Sequence, residues 1–467
     1  MKKVFALFTT LALCALTLPS ALVQGRAAVK DGDGKDKYKA DELLIQFKPG
    51  ATDEEIVSAR NSVGALTKKQ LKKAARLAAK GELELAVIQS GLTVEDAIAI
   101  IETHPAVAFA EPNYLVRHQA TAVDSYYTNG NLWGMYGDAT SPANQFGSQA
   151  GEAWAAGHTG SSSVYVGIID EGIDYLHVDL AANIWTNPFD PIDGVDNDGN
   201  GYADDTHGWD FFQDNSDVYD GVRPGDYETD LHGTHVAGTI GAPANGLGVV
   251  GVNWNVTMIS AKFLGPDGGT IADAIASVNY FVDLKTRHGL NIVALNNSWG
   301  GGGYSQALHD AVIRAAKANI LFTAASGNGN LAGIGQNNDR TPSYPSNYNT
   351  TQGTSTESGA GYDAVIAVAA LTSTGALAKY SNYGLTTVDI GAPGSGVWST
   401  SPNNTLTRLD GTSMATPHVT GGIALYASTH PGATPQQIRS AILTTGVTTS
   451  SLVNKTTTGR RLNVSTY

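Results

Sequence analysis

The sequence predicts an α/β protein: a largely parallel sheet covered by helices on both faces, preceded by a small α+β unit. Three observations carry this. Beyond about Trp133, continuous apolar, β-branched runs alternate with helical stretches of small residues, the pattern of strands buried on both faces. Ahead of that, about eighty residues mix short alternating strands with capped helices. The charge also breaks between the two. Met1 to Ala120 carries 16 basic and 14 acidic residues, and the remainder carries 13 basic and 29 acidic.

At the start, Lys2 and Lys3 precede the apolar runs Val4 to Phe8 and Leu11 to Leu18, and small residues follow to Ala28. Residues 1–28 therefore read as a secretory signal, and the product as extracellular. The apolar run is short for a membrane anchor. The single cysteine, Cys14, lies inside this signal, so the mature protein would hold no disulfide. Leu13 before it argues against lipid attachment. A secreted protein without disulfides needs another clamp, and bound metal is one.

Residues 38–117 form the small unit. Leu43 to Phe47 and the alternating Glu82 to Leu85 are strands, and Ala106 to Ala110 is a third. Thr52 and Glu55 make a capping box, and Thr93 to Asp96 caps a helix over Val94 to Glu102. Lys68 to Ala79 reads as a further helix, basic on one side. The larger unit, 124–467, begins after the polar stretch Arg117 to Asp124. Its strands are Val164 to Ile169, Val256 to Ala261, Ile292 to Leu295, Ile320 to Ala324 and Ala364 to Ala369. Its acidity repels nucleic acid and anionic membranes.

Four segments carry chemistry. Asp170 ends the strand Val164 to Ile169, where a carboxylate could orient an imidazole or simply begin a turn. His232 to Gly238 (HGTHVAG) puts a histidine before glycine and small residues at a helix start. A zinc-type His-x-x-His reading lacks the glutamate that such a helix carries. Ser413, in Gly411 to Val419 (GTSMATPHV), opens a long helix of small residues, close to unpaired N–H groups, or is an ordinary cap. Asn328, flanked by Gly327 and Gly329, could donate to a developing oxyanion or serve as a turn residue.

These segments, in the order Asp, His, Ser, resemble the subtilisin family, the subtilases, over about Trp133 to Asn463. The resemblance implies a serine endopeptidase acting on proteins and peptides. Ser413 matches the nucleophile, His232 the general base and Asp170 its orienting partner. Asn328 matches the oxyanion donor, and His235 and His418 match structural positions. Ser298, Trp299, Gly300 and Gly301 match the strand that pairs with substrate, and Gly268 and Gly269 the opposing edge. The residue after Asp170 departs from the family's Ser or Thr: it is Glu171, expected to face away. Thr350 to Gly361 looks like an insertion near the specificity region. The small unit resembles the family's inhibitory propeptide, whose tail, here about Tyr114 to Val123, occupies the active site. The resulting picture is a monomer, inhibited by its own propeptide, that binds no nucleic acid.

Calcium is the expected cofactor. Asp196, Asp198, Asn200 and Asp204 place oxygens at alternate positions around glycine turns, which suits a hard cation. A second site is implied only by the resemblance: Asp179 and Asn245, with the carbonyls of Pro243, Leu247 and Val249. Competing readings are a catalytically dead calcium-binding module on the same fold and a selective processing protease. Gly329 and Trp299 favour recognition of apolar residues over basic ones.

Overall fold

The structure, a computed structural model, describes residues 38–70, 81–114, 121–221 and 230–467. The chain divides into two compact units, Met1–Arg117 and His118–Tyr467. Residues 1–28, expected to be a signal, lie outside the described residues.

The first unit is a four-stranded antiparallel sheet in the order β2-β3-β1-β4, from β1 (Tyr38–Phe47), β2 (Ala65–Gln70), β3 (Leu83–Ile88) and β4 (Val107–Tyr114). Leu43, Ile45 and Phe47 alternate into its core. Helices α1 (Asp53–Ser62) and α2 (Val94–Ile101) bury Ile56, Ala59, Val94, Ala97 and Ile101 in the same core. The capping box at Thr52 and Glu55 and the cap at Thr93 are both made. Lys68 is no helix start: β2 runs through it to Gln70, because pairing with β3 outweighs local propensity. The rest of that expected helix, 71–80, lies outside the described residues.

The second unit opens with α3 (Ser125–Thr128) and α4 (Ala150–Ala155), followed by β5 (Gly160–Asp170) and β6 (Gly208–Asp210). Then come α5 (Leu231–Gly241), β7 (Asn255–Lys262), α6 (Ile271–His288), β8 (Ile292–Asn297), α7 (Gln306–Lys317) and β9 (Leu321–Ala325). The remainder is β10 (Val365–Leu371), β11 (Ile390–Pro393), the hairpin β12 (Val397–Ser401) and β13 (Thr405–Leu409), α8 (Thr412–Thr429), α9 (Pro435–Thr445), β14 (Val447–Thr448) and β15 (Arg460–Arg461). Nine strands form one sheet, β14-β15-β11-β10-β9-β8-β5-β7-β6, parallel except where β14 meets β15. Helices cover both faces, as expected. On one face, α5 and α8 bury Val236, Ile240, Val419 and Ile423 against Val164, Val166 and Ile168 of β5. On the other, α6 and α7 bury Val278, Phe281, Leu308 and Val312 with Ile169 and Ile259.

Among the described residues no helix is long and apolar enough to cross a membrane. The Thr350 to Gly361 insertion folds onto the outside of α7. Gln306 donates to Ser355 and Thr356, Asp310 accepts from Thr354 and Thr356, and Lys317 bonds Glu357. It therefore braces a helix and does not line the cavity described below.

Candidate active site

β5 is flanked by β8 and β7, all parallel, so their C-terminal ends form one edge of the sheet. Such edges hold the functional crevices of open α/β sheets. Asp170 is the last residue of β5. Ile168 pairs with Asn296, so Asp170 and Ser298 lie two residues further along adjacent strands.

Asp170 is buried, and its Oδ1 accepts hydrogen bonds from the Glu171 N–H and from His232 Nδ1, each at 2.8 Å. Its Oδ2 has no partner among the described residues. His232 is the second residue of α5, and its side chain is 27% exposed, leaving the ring's other edge open. Burial pulls the imidazole's pKa down, but the charge and hydrogen bond of Asp170, with Glu171 behind them, outweigh it and raise it to about 9. Glycine makes this approach of helix to strand possible. A Cβ at Gly233 would sit 2.1 Å from the Gly172 carbonyl oxygen, and Gly172 itself has φ +120.

Ser413 is the second residue of α8, which packs beside α5. Its hydroxyl donates to the Ser298 carbonyl at 2.8 Å, and the Ser298 hydroxyl donates to the Ser413 carbonyl at 2.8 Å. To engage His232 the Ser413 hydroxyl must leave Ser298; such bonds often tighten only when substrate binds. Asn328 follows β9. Its carbonyl oxygen is held by the Thr412 N–H at 2.8 Å and the Thr412 hydroxyl at 2.9 Å, which commits the amide NH₂ to the other side. The Ser413 N–H, in the first turn of α8, has no acceptor within the helix.

Ser413, Asn328, Ser298, Trp299 and Gly300 line one cavity of about 310 Å³. Ser343 and Asn382 also line it, and no charged side chain does so among the described residues. The Asn382 amide is fixed: its oxygen accepts from the N–H groups of Gly329 and Gln336, and its nitrogen donates to Ser326. Trp299 packs edge-on against Phe263, ring centroids 4.8 Å apart. Gly268 and Gly269 do not line this cavity; they lie in a turn where Gly265 and Gly268 exchange backbone hydrogen bonds ahead of α6. His235 and His418 are fully buried. Each bonds a backbone carbonyl, of Val397 and Met414, and burial lowers them to about 3 and about 4. They are neutral supports of the two helices.

Residues 161–462 match the Subtilase family. The chain belongs to the subtilase family. It is a serine peptidase, and residues 25–113 of this subtilase match the Fervidolysin N-terminal prodomain, which accounts for the first unit. Subtilisin DY of Bacillus licheniformis is 35% identical over 64% of this chain and 88% of its own length. The thermophilic serine proteinase of Bacillus sp. (strain AK1) is 30% identical over 87% of this chain and 82% of its own. A solved cold adapted subtilisin-like serine proteinase aligns over 65% of this chain and 90% of its own, with 26% identity and a TM-score of 0.48.

Two residues of this subtilase escape the sequence reading. Glu171 faces inward, not away: its Oε2 accepts the His232 backbone N–H at 3.1 Å. Asp124, unremarkable in a polar stretch, is fully buried. Its Oδ1 accepts the Gly246 N–H, and its Oδ2 has no partner among the described residues. Asp179 is buried likewise, with Oδ2 accepting the Val249 N–H at 2.8 Å and Oδ1 without a partner. Burial raises both, Asp124 to about 6, and the two carboxylates repel one another. Two buried carboxylates with orphaned oxygens, beside the Asn245 to Val249 loop, fit a divalent cation.

The Asp196 to Asp205 loop is built differently. Asp196 accepts from the N–H groups of Gly199, Asn200 and Gly201, Asp198 from His288, and Asp204 from Asp193 and Gly194. Most of these oxygens serve backbone N–H groups of the loop and of the turn before it, and Asp198 is also tied to His288 at the end of α6. Among the described residues no three His, Cys, Asp or Glu side chains converge as a metal cluster, so a cation would need carbonyl and amide oxygens as well.

Proposed function

We propose that this subtilase is a secreted endopeptidase of broad specificity in which Ser413 is the nucleophile, His232 the general base and then acid, and Asp170 the residue that orients His232. The observation that carries this is the 2.8 Å bond from His232 Nδ1 to buried Asp170, on the strand end adjacent to the one that holds Ser413. The Asp170 carboxylate fixes the tautomer, so Nε2 is left to take the Ser413 proton as Oγ attacks the substrate carbonyl. The Asn328 NH₂ and the Ser413 N–H then stabilise the oxyanion. His232 returns the proton to the leaving amine, and water repeats the sequence on the acyl-enzyme.

The neutral cavity, lined by Trp299, Ser343 and the fixed Asn382 amide among others, favours an apolar or aromatic residue before the cut. Substrate would lie along Ser298 to Gly301. The first unit is the inhibitory propeptide, removed by the enzyme itself. Calcium is structural: Asp124, Asp179 and Asn245, with the Pro243, Leu247 and Val249 carbonyls, would hold one ion, and Asp196, Asp198, Asn200 and Asp204 belong to a second site. When bound, the ion neutralises buried charge and takes no part in hydrolysis.

The deciding experiment is Ser413→Ala in the full chain. It should lose peptidase activity down to a residual ~10³–10⁴-fold over water. It should also lose fluorophosphonate labelling and accumulate with residues 38–117 still attached. Wild-type activity in this variant would end the proposal.

A further inference from the structure

We infer that Glu171 is a positioning residue for His232, serving both as the missing cap of α5 and as a second negative charge near the imidazole; this rests on the role proposed for His232. The first turn of α5 leaves N–H groups that need outside acceptors. The residue placed to cap them, Asp230, does not: it sits at φ 60 and makes no side-chain cap. Its carboxylate is committed elsewhere, Oδ1 to Lys262 Nζ and Oδ2 to the Asp220 N–H. Glu171 fills the gap from the neighbouring loop by accepting the His232 N–H at 3.1 Å. The bond is made to the backbone of the very residue whose ring must stay aligned on Asp170.

The loop is in turn anchored. Lys262, at the end of β7 and fully buried, donates to the Glu171 carbonyl, pairs with Asp230 and lies 3.2 Å from Asp220. The charged groups around the pair are therefore Asp170 on β5, Asp230 at the start of α5, and Lys262 with Asp220, while His235, three residues along α5, is neutral. Glu171 is pushed up to about 7, first by burial and then by Asp170, while its charge helps hold His232 in the protonated form. The two groups titrate as a pair. A neutral residue at 171 removes one of the two negative charges that favour imidazolium, so His232 should lose its proton at lower pH.

Glu171→Gln keeps an oxygen able to accept the N–H but removes the charge, whereas Glu171→Ala removes both. The Gln variant should move the acid limb of kcat/KM down by about one pH unit. The Ala variant should show the same movement plus a ~10- to 100-fold loss of kcat with KM little changed, from misplacement of the base. The Gln variant should restore most of that loss. In a Ser413→Ala background, NMR titration of His232 should show the same downward displacement without any catalysis. An acid limb and an NMR titration in Glu171→Gln that superimpose on those of Glu171 protein would overturn the charge role. Wild-type kcat in a folded Glu171→Ala would overturn the capping role, and if that variant does not fold, the Gln titrations decide alone. Activity surviving Ser413→Ala would instead refute the mechanism, leaving the NMR result to judge this inference separately.

Discussion

Ser298 and Ser413 are joined by two reciprocal hydrogen bonds, each hydroxyl donating to the other's carbonyl at 2.8 Å. The Ser413 carbonyl is free to accept because the residue four positions on, Pro417, has no N–H to give it. A helix-breaking residue inside α8 thus creates an acceptor at the helix start, and the end of β8 supplies the donor.

Removing that donor leaves a carbonyl without its partner. Ser298→Ala should destabilise the protein by about 1–3 kcal/mol. The measurement is denaturant unfolding, made in a Ser413→Ala background so that self-digestion does not intrude. Ser298→Thr, which keeps the hydroxyl, should lose less; equal losses would point to packing instead of the hydrogen bond.

Asp170→Asn keeps the shape beside His232 but reverses the donor and acceptor preference. It should lower kcat by roughly 10⁴-fold through the wrong imidazole tautomer. As the proposed base, His232 must be neutral to act, and in the unaltered protein its pKa is raised to about 9. The acid limb of kcat/KM should therefore lie above the ordinary histidine value of about 6.5. The stability sign is opposite: the His232 contribution is full below about 6.5 and is lost as pH rises through about 9. A limb at or below 6.5 in a pH–rate profile would contradict the ion pair.

What could be read in advance followed the range of the interactions. The caps at Thr52 and Thr93 are settled within three residues, and both are as the sequence implies. Asp170, His232 and Ser413 stand in segments whose glycines and small residues announce close packing. Glu171 could not be oriented in advance, because its partner is an N–H on a helix some sixty residues away. Asp124 gave no local signal at all. It matters only through the loop Asn245 to Val249 and Asp179, which the fold brings to it. The Lys68 to Gln70 segment went astray for the same reason: β3 decides it, not its own residues.

Asn328→Ala should cost ~10²–10³-fold in kcat, about 3–4 kcal/mol of transition-state stabilisation, with little change in KM. The same substitution frees the Thr412 N–H, so a small loss of thermal stability should accompany it. Steady-state kinetics and calorimetry separate the two. A raised KM with unchanged kcat would mean that Asn328 only binds substrate.

Charge in the pocket should decide specificity. Gly329 lies at the cavity and carries no side chain, and a Cβ there would meet the Ile334 carbonyl at 2.3 Å. With Ser343 and Asn382 neutral, cleavage of a peptide library should favour large apolar or aromatic residues before the cut. Dominant Lys or Arg there would refute this reading of the pocket.

Calcium should show itself through a change of sign at Asp124. Without an ion, Asp124 and Asp179 are two buried carboxylates that repel, each with an oxygen lacking a partner. With an ion between them the same charges become ligands. A ligand that binds only the folded state adds about 4 kcal/mol at a thousandfold excess over Kd. Wild-type protein should therefore melt higher with calcium than with chelator, and should digest itself faster once calcium is removed. Asp124→Asn should lower the melting temperature when calcium is saturating, because a ligand charge is lost. In chelator it should raise the melting temperature or leave it unchanged, because a buried repulsion is lost. The kcat of the calcium-loaded variant should stay near wild type, since no step of hydrolysis runs through the ion. Asp196→Asn with Asp198→Asn tests the other loop in the same way, and a smaller calcium response is expected there because those oxygens already serve backbone N–H groups. Calorimetry of each protein in both conditions, inactivated at Ser413, gives the comparison. Equal melting temperatures of the wild-type fold with and without calcium would refute the structural role. A loss in Asp124→Asn of the same size in both conditions would show that Asp124 acts by packing alone.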